Sequence, residues 1–187
     1  MVWALVAVAV VVLFGLAVVV LYNRLVRLRN RTENAWSQVD VQLRRRYDLI
    51  PNLVETVKGY ASHERATFEE VTAARTRAQE AGGVADQAQA ENALTAAIGR
   101  LFALAEAYPE LRASENFKAL QEELSDTEDK IAAARRYYNN VVQRYNTSQQ
   151  TFPTNLMAGA LGFRPREFFE LDDEADRSPV AVDLSQP

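Results

Sequence analysis

The chain has no cysteine and one histidine, His63, among its 187 residues. Without thiols there is no disulfide framework, no thiolate nucleophile and no cysteine zinc site. That fits a reducing compartment without demanding one. A lone imidazole does not build a metal centre, and no HExxH spacing occurs. Glycine and proline are sparse, at 7 and 6 residues. No P-loop, GxGxxG or GxSxG is present, and the adjacent pair Gly82-Gly83 serves a turn. Strand alternation, a βαβ rhythm and internal repeats are absent too. Basic residues interleaved with aromatics are missing, and the net charge is −4 at pH 7, so no nucleic-acid partner is expected. These absences leave no catalytic, cofactor or metal constellation; the expectation is a protein that is not an enzyme.

Charge is missing in one place above all. Val2 to Tyr22, VWALVAVAVVVLFGLAVVVLY, carries none. As a helix it spans about 31 Å, close to a hydrocarbon core of ~30 Å. A cleaved signal peptide expects a basic start, a shorter apolar core and a small-x-small site. No Lys or Arg precedes this run, so residues 1–23 read as an uncleaved transmembrane anchor. Arg24, Arg27, Arg29 and Arg31 follow at once. By positive-inside reasoning they place the N-terminus outside and the body in the cytoplasm. They can also touch anionic membrane lipid, although a topology signal alone explains them.

The longest pattern is Ser114 to Phe152. Phe117, Leu124, Ile131, Tyr138, Tyr145 and Phe152 recur every seven residues, with Leu120, Thr127, Ala134, Val141 and Ser148 three behind. This predicts a coiled-coil-like helix of about 55 Å, capped by Ser114 and stopped before Pro153. Leu28, Thr32, Ala35/Trp36, Val39 and Leu43 continue the anchor as helix. Arg46 falls on the same face; its stem is expected to cover apolar surface while the guanidinium reaches water at the bundle end. Asp48-Leu49-Ile50-Pro51 predicts a tight helix–helix corner, with a kinked continuous helix as the alternative. A second helix of about 46 Å then runs to Gly82-Gly83, and a third from about Val84 to Tyr108.

The fold class expected is therefore all-α: an N-terminal transmembrane helix, then an up-and-down four-helix bundle over residues 24–171. The Ser114 helix outruns its neighbours, so with a corner at Pro51 its C-terminal end should point back to the membrane; a mere kink there would remove that expectation. The apolar residues Leu156, Met157, Leu161, Phe163, Phe168, Phe169 and Leu171 should fold on the bundle or lie on the bilayer. Residues 172–187, acidic with Ser and Pro, read as a disordered tail.

His63 reads as a flank residue, while Glu64 falls on the apolar face and needs a partner. Arg135 is the candidate. It belongs to a polar flank of the Ser114 helix: Glu128, Arg135, Asn139 and Asn146. Such residues either fix register or form a groove for a partner. A lipid or small-molecule site beside Tyr138 and Tyr145 is the alternative function.

Thr32 to Glu64 (TENAWSQVDVQLRRRYDLIPNLVETVKGYASHE), Ala113 to Asn146, and the FP…GF…FFE run from Phe152 to Glu170 resemble the LemA family. The resemblance covers about Val2 to Leu171. It implies a bacterial cell (inner) membrane protein with one N-terminal span, an N-out topology and a cytoplasmic four-helix bundle. It brings no activity or cofactor. Relatives include a magnetosome-membrane protein, and some members sit genetically beside a membrane metalloprotease. These relatives suggest membrane organisation or envelope quality control. The anchor, the long helices with polar flanks and the lack of a chemical constellation give the expectation of a self-associating scaffold or adaptor, or one bound to another membrane protein such as a membrane protease. The family motif residues Trp36, Asp40, Arg45, Arg46, Asp48, Pro51 and Asn52 should crowd the Pro51 corner.

Overall fold

The structure, a computed structural model, describes residues 1–171; the acidic tail predicted from 172 onward lies outside the described residues. These residues form α1 (Val2–Lys58), α2 (Arg65–Glu80), α3 (Val84–Glu106), the short α4 (Pro109–Ala113), α5 (Glu115–Gln150) and a 3-10 turn at Thr154–Leu156. No strand occurs among them.

α1 is one helix of 57 residues, about 85 Å long. Its first part is the apolar run, whose side chains lie exposed, Trp3 at 86%. It is the one helix among the described residues long and apolar enough to cross a membrane. From Leu25 onward it acquires a buried stripe: Leu25, Thr32, Ala35, Val39, Leu43 and Arg46, then Leu53 and Val57.

The corner predicted at Pro51 is not there; α1 continues through it to Lys58. A proline inside a helix leaves the carbonyl four residues back without its amide donor. Here that carbonyl belongs to Tyr47, and the Arg75 Nε of α2 donates to it at 2.7 Å. The substitute donor lets the helix pass. The reversal comes instead at residues 59–64, beginning at Gly59, a poor helix former. The predicted second helix is thus two pieces, the end of α1 and α2. The motif residues from Trp36 to Asn52 spread along about 24 Å of α1 rather than crowding a corner.

Gly83, at φ 100°, ends the α2–α3 turn, and the Gly82 N–H donates to the Asp86 carboxylate at 2.9 Å. Left-handed φ is cheap only for glycine. Ser114 occupies the N-cap position of α5, but its side chain makes no capping bond.

α5 lies antiparallel on α1: Tyr145 packs with Leu25, Trp36 meets Tyr138, and Arg46 reaches Glu128. The every-seventh residues from Phe117 to Tyr145 are buried as predicted, whereas Leu120 and Ala134 of the second series are partly buried. Phe152 is not; the helix ends at Gln150 and Phe152 is 74% exposed. α2 and α3, about 24 and 34 Å long, cover only the part of the α1–α5 pair distant from the apolar run. The bundle therefore has a distal section of four helices. In the section next to the apolar run, the end of α5 and the C-terminal segment face α1 without α2 or α3. The overhang predicted from helix lengths is real, even though the corner is not.

Candidate functional site

Two polar constellations bind the four long helices and the C-terminal segment. The first surrounds Arg46. Its side chain is 1% exposed and does not reach water. The predicted escape to the bundle end fails because α3 and α5 close over it. Arg46 donates to Glu91 of α3, to Glu128 of α5 at 2.6 Å and to Thr95 at 3.2 Å. Glu91 is wholly buried and also accepts from the Tyr47 hydroxyl and from Gln87 at 2.7 Å. Gln87 further donates to the Tyr47 oxygen and to the Ala78 carbonyl of α2. Arg46 with Glu91 and Glu128 thus ties α1, α3 and α5 together, and Gln87 extends the cluster to α2. Burial alone would lower the Arg46 pKa; Glu91 and Glu128 outweigh it and raise it, so the cation is held. Sequence reading missed Glu91 among the many alanines of α3. The signal available was its step of four from Gln87 and from Thr95.

Tyr47 belongs to the same cluster. Burial, then its bond to Glu91, pushes its hydroxyl far above 10. The unfolded chain ionises this tyrosine near pH 10, whereas the folded chain keeps the proton. Its contribution is present below pH 10 and fades as pH rises beyond it. Tyr47→Phe should therefore reduce the alkaline loss of stability by about 1.4 kcal/mol per pH unit above 10. Urea denaturation at pH 9, 10 and 11 checks this; equal slopes in both proteins refute it.

The second constellation is the polar flank of α5, and the structure gives it an occupant. Residues 164–171 run back along α5 in the opposite direction as an extended strap. The Asn139 amide donates to the Phe169 carbonyl at 3.1 Å and accepts from the Phe169 N–H at 2.9 Å. Asn146 does the same with Arg166, at 2.9 Å both ways. Gln149 donates to the Arg164 carbonyl, the Tyr138 hydroxyl to Glu167, and Arg135 to Leu171. Seven helical residues rise about 10.5 Å and three extended residues about 10 Å, so the two asparagines match the strap's spacing. Phe169 is fully buried edge-on to Trp36, with ring centroids 5.3 Å apart. Phe163 covers Tyr145 together with Ala158. Arg166 fastens the strap to Glu33 of α1 at 3.0 Å.

The groove predicted beside Tyr138 and Tyr145 is thus filled by the chain itself. Of the predicted flank, Arg135, Asn139 and Asn146 hold the strap, whereas Glu128 belongs to the Arg46 cluster. Glu64 does not join Arg135. It sits half-buried at the N-cap position of α2, and no ion pair to it is formed among the described residues. His63 is exposed beside it. Leu156 and Phe168 remain 73% and 40% exposed, so the apolar segment docks only in part. Among the described residues no group of three or more His, Asp and Glu side chains is placed to hold a metal ion. Arg24, Arg27 and Arg31 stand exposed where the apolar run meets the α5 overhang.

Two magnetosome proteins, MamQ 1 and MamQ 2 of Paramagnetospirillum magneticum (strain AMB-1), are each 27% identical to the chain over 94% of its length and 74% of theirs. The protein LemA of Metamycoplasma hominis is 28% identical over 88% of the chain and 74% of its own length. The LemA family pattern matches residues 35–184, which takes in the Arg46 cluster and the strap, and the chain belongs to the LemA family.

Proposed function

We propose that this protein is a single-pass, membrane-anchored helical scaffold or adaptor of the bacterial inner membrane. Its N-terminus lies outside and its bundle in the cytoplasm. It works by binding a second copy or another membrane protein, with a membrane protease as one such partner, rather than by catalysis. The observation that carries this reading is the continuity of α1. The exposed apolar run and the core stripe of the bundle are one unbroken helix from Val2 to Lys58. An anchor of that kind sets the bundle rigidly against a bilayer and leaves its long outer faces for partners. The arginines that follow the run favour the cytoplasmic side. Similarity to magnetosome proteins supports work at a membrane.

The absence of cysteine makes a clean test. Ser62→Cys, in the exposed turn after α1, should react with a membrane-impermeant maleimide only after cells are lysed. Labelling in intact cells would reverse the topology. In-cell cross-linking of the full-length chain should then capture a second copy or one membrane partner. A strict monomer with no captured partner, in membrane and in detergent, would remove the scaffold reading.

A further inference from the structure

Charge on this molecule is sharply divided. No Asp or Glu occurs from Met1 to Thr32, nor from Lys130 to Arg166, although the whole chain carries 25. α1 and α5 run antiparallel, so these two stretches lie side by side next to the apolar run. Between them is a cleft of about 900 Å³. Arg24, Arg27 and Arg31 line it from α1, at steps of three and four that share one helix face. Arg144 and Thr147 line it from α5, three residues apart on one face, with Thr151 just beyond the helix end. Among the described residues none of the four arginines forms an ion pair and no acidic side chain lines the cleft. The neighbouring arginines are engaged differently: Arg29 lies over the Phe163 ring at 5.8 Å, and Arg166 pairs with Glu33.

We infer that this cleft is a binding site for the phosphate headgroup of an anionic glycerophospholipid. Four guanidinium groups and the Thr147 hydroxyl match phosphate oxygens in charge and donor type, while the Thr151 hydroxyl is spent on the Thr147 carbonyl at 2.7 Å. The cleft's position selects a lipid over a soluble anion. Its lining includes Leu21, within the last turn of the apolar run. Phe152, also in the lining, and Leu156 nearby are 74% and 73% exposed, and they give acyl chains an apolar surface beside the charges. A topology signal needs only the arginines of α1. It does not require Arg144, more than a hundred residues later, to face them across a cleft. The site rests on the reading that the apolar run spans the bilayer.

Native mass spectrometry of the full-length protein, released from nanodiscs of equimolar phosphatidylcholine and phosphatidylglycerol, tests it. The wild-type chain should retain phosphatidylglycerol in preference. Arg144→Gln and Arg27→Gln, both at exposed positions, should each reduce that retention about fivefold. Arg112→Gln removes the same charge from the exposed face of α4, far from the cleft, and should leave retention unchanged. Wild-type retention in Arg144→Gln, or equal loss in Arg112→Gln, overturns the site. So does full displacement of the lipid by free glycerol 3-phosphate, which would mark a soluble-anion site. Protein that enters the nanodiscs without lipid preference refutes the cleft alone; protein that stays out of them refutes the membrane span and the cleft together.

Discussion

Replacing Arg46 with methionine should destabilise the bundle by about 3–5 kcal/mol, because it strands a buried glutamate without its cation. Methionine fills much of the same volume, so packing is not the main loss. Glu91 is 0% exposed and would keep only the neutral donors Tyr47 and Gln87. Glu128, half exposed, can turn to water and contributes little to the penalty. The expected fall in melting temperature is on the order of 10 °C. The control that identifies the cause is Arg46→Met with Glu91→Gln. Glutamine still accepts from Tyr47 and Gln87 but carries no charge, so the double variant should be more stable than Arg46→Met alone. Thermal denaturation of the single and double variants measures this coupling. A double variant less stable than Arg46→Met would show that the side chains act by shape and not by charge. The pair is not to be counted as net stabilisation over an apolar core. Its desolvation cost is large, and Arg46 Nε is buried without a partner. What it supplies is a preference of register: a shift of α3 along α1 that parts Arg46 from Glu91 leaves both charges buried and unpaired.

The helical architecture was legible because helix periodicity is a local property. The heptads of α5 and the stripe from Leu28 to Leu43 could be read directly. The failures share one cause: a residue's partner came from another part of the chain. Pro51 looked like a corner because its missing hydrogen bond is visible in sequence, whereas the Arg75 donor that replaces it is not. Arg46 reads as reaching a wet end because Glu91, marked by its step of four from Gln87 and Thr95, stands among the many alanines of α3. Asn139 and Asn146 read from the sequence as a flank that fixes register or forms a partner groove, and they stand seven residues apart. That spacing is also the rise of three extended residues. An extended apolar segment later in the chain was therefore a candidate occupant, ahead of any foreign partner.

The strap yields the second large effect. Phe169→Ala should remove about 3–5 kcal/mol of local stability, since the ring is fully buried edge-on to Trp36, whose own ring meets Tyr138. The loss should appear as local undocking and not as global unfolding, because α5 keeps its contacts with α1 along the opposite edge of its seam. Trp36 would then become accessible to a quencher, read in a Trp3→Phe background so that one indole reports. The pair Asn139→Ala and Asn146→Ala provides an independent arm. It removes four hydrogen bonds to the backbone of Phe169 and Arg166 and leaves every aromatic contact in place. At about 1 kcal/mol per bond, amide exchange at Phe169 and Arg166 should accelerate by on the order of 100-fold or more. If both amides stay as protected as in the wild type, the asparagines do not hold the strap. If Trp36 is unquenched in Phe169→Ala, the strap is held by its backbone alone. Should both variants release it, the groove of Trp36, Tyr138, Asn139 and Asn146 is opened only by displacing residues 164–171. Any partner that docks there must then compete with the chain's own C-terminal segment. A foreign extended segment with an aromatic residue three positions after a backbone-bonded one would satisfy the same asparagine spacing.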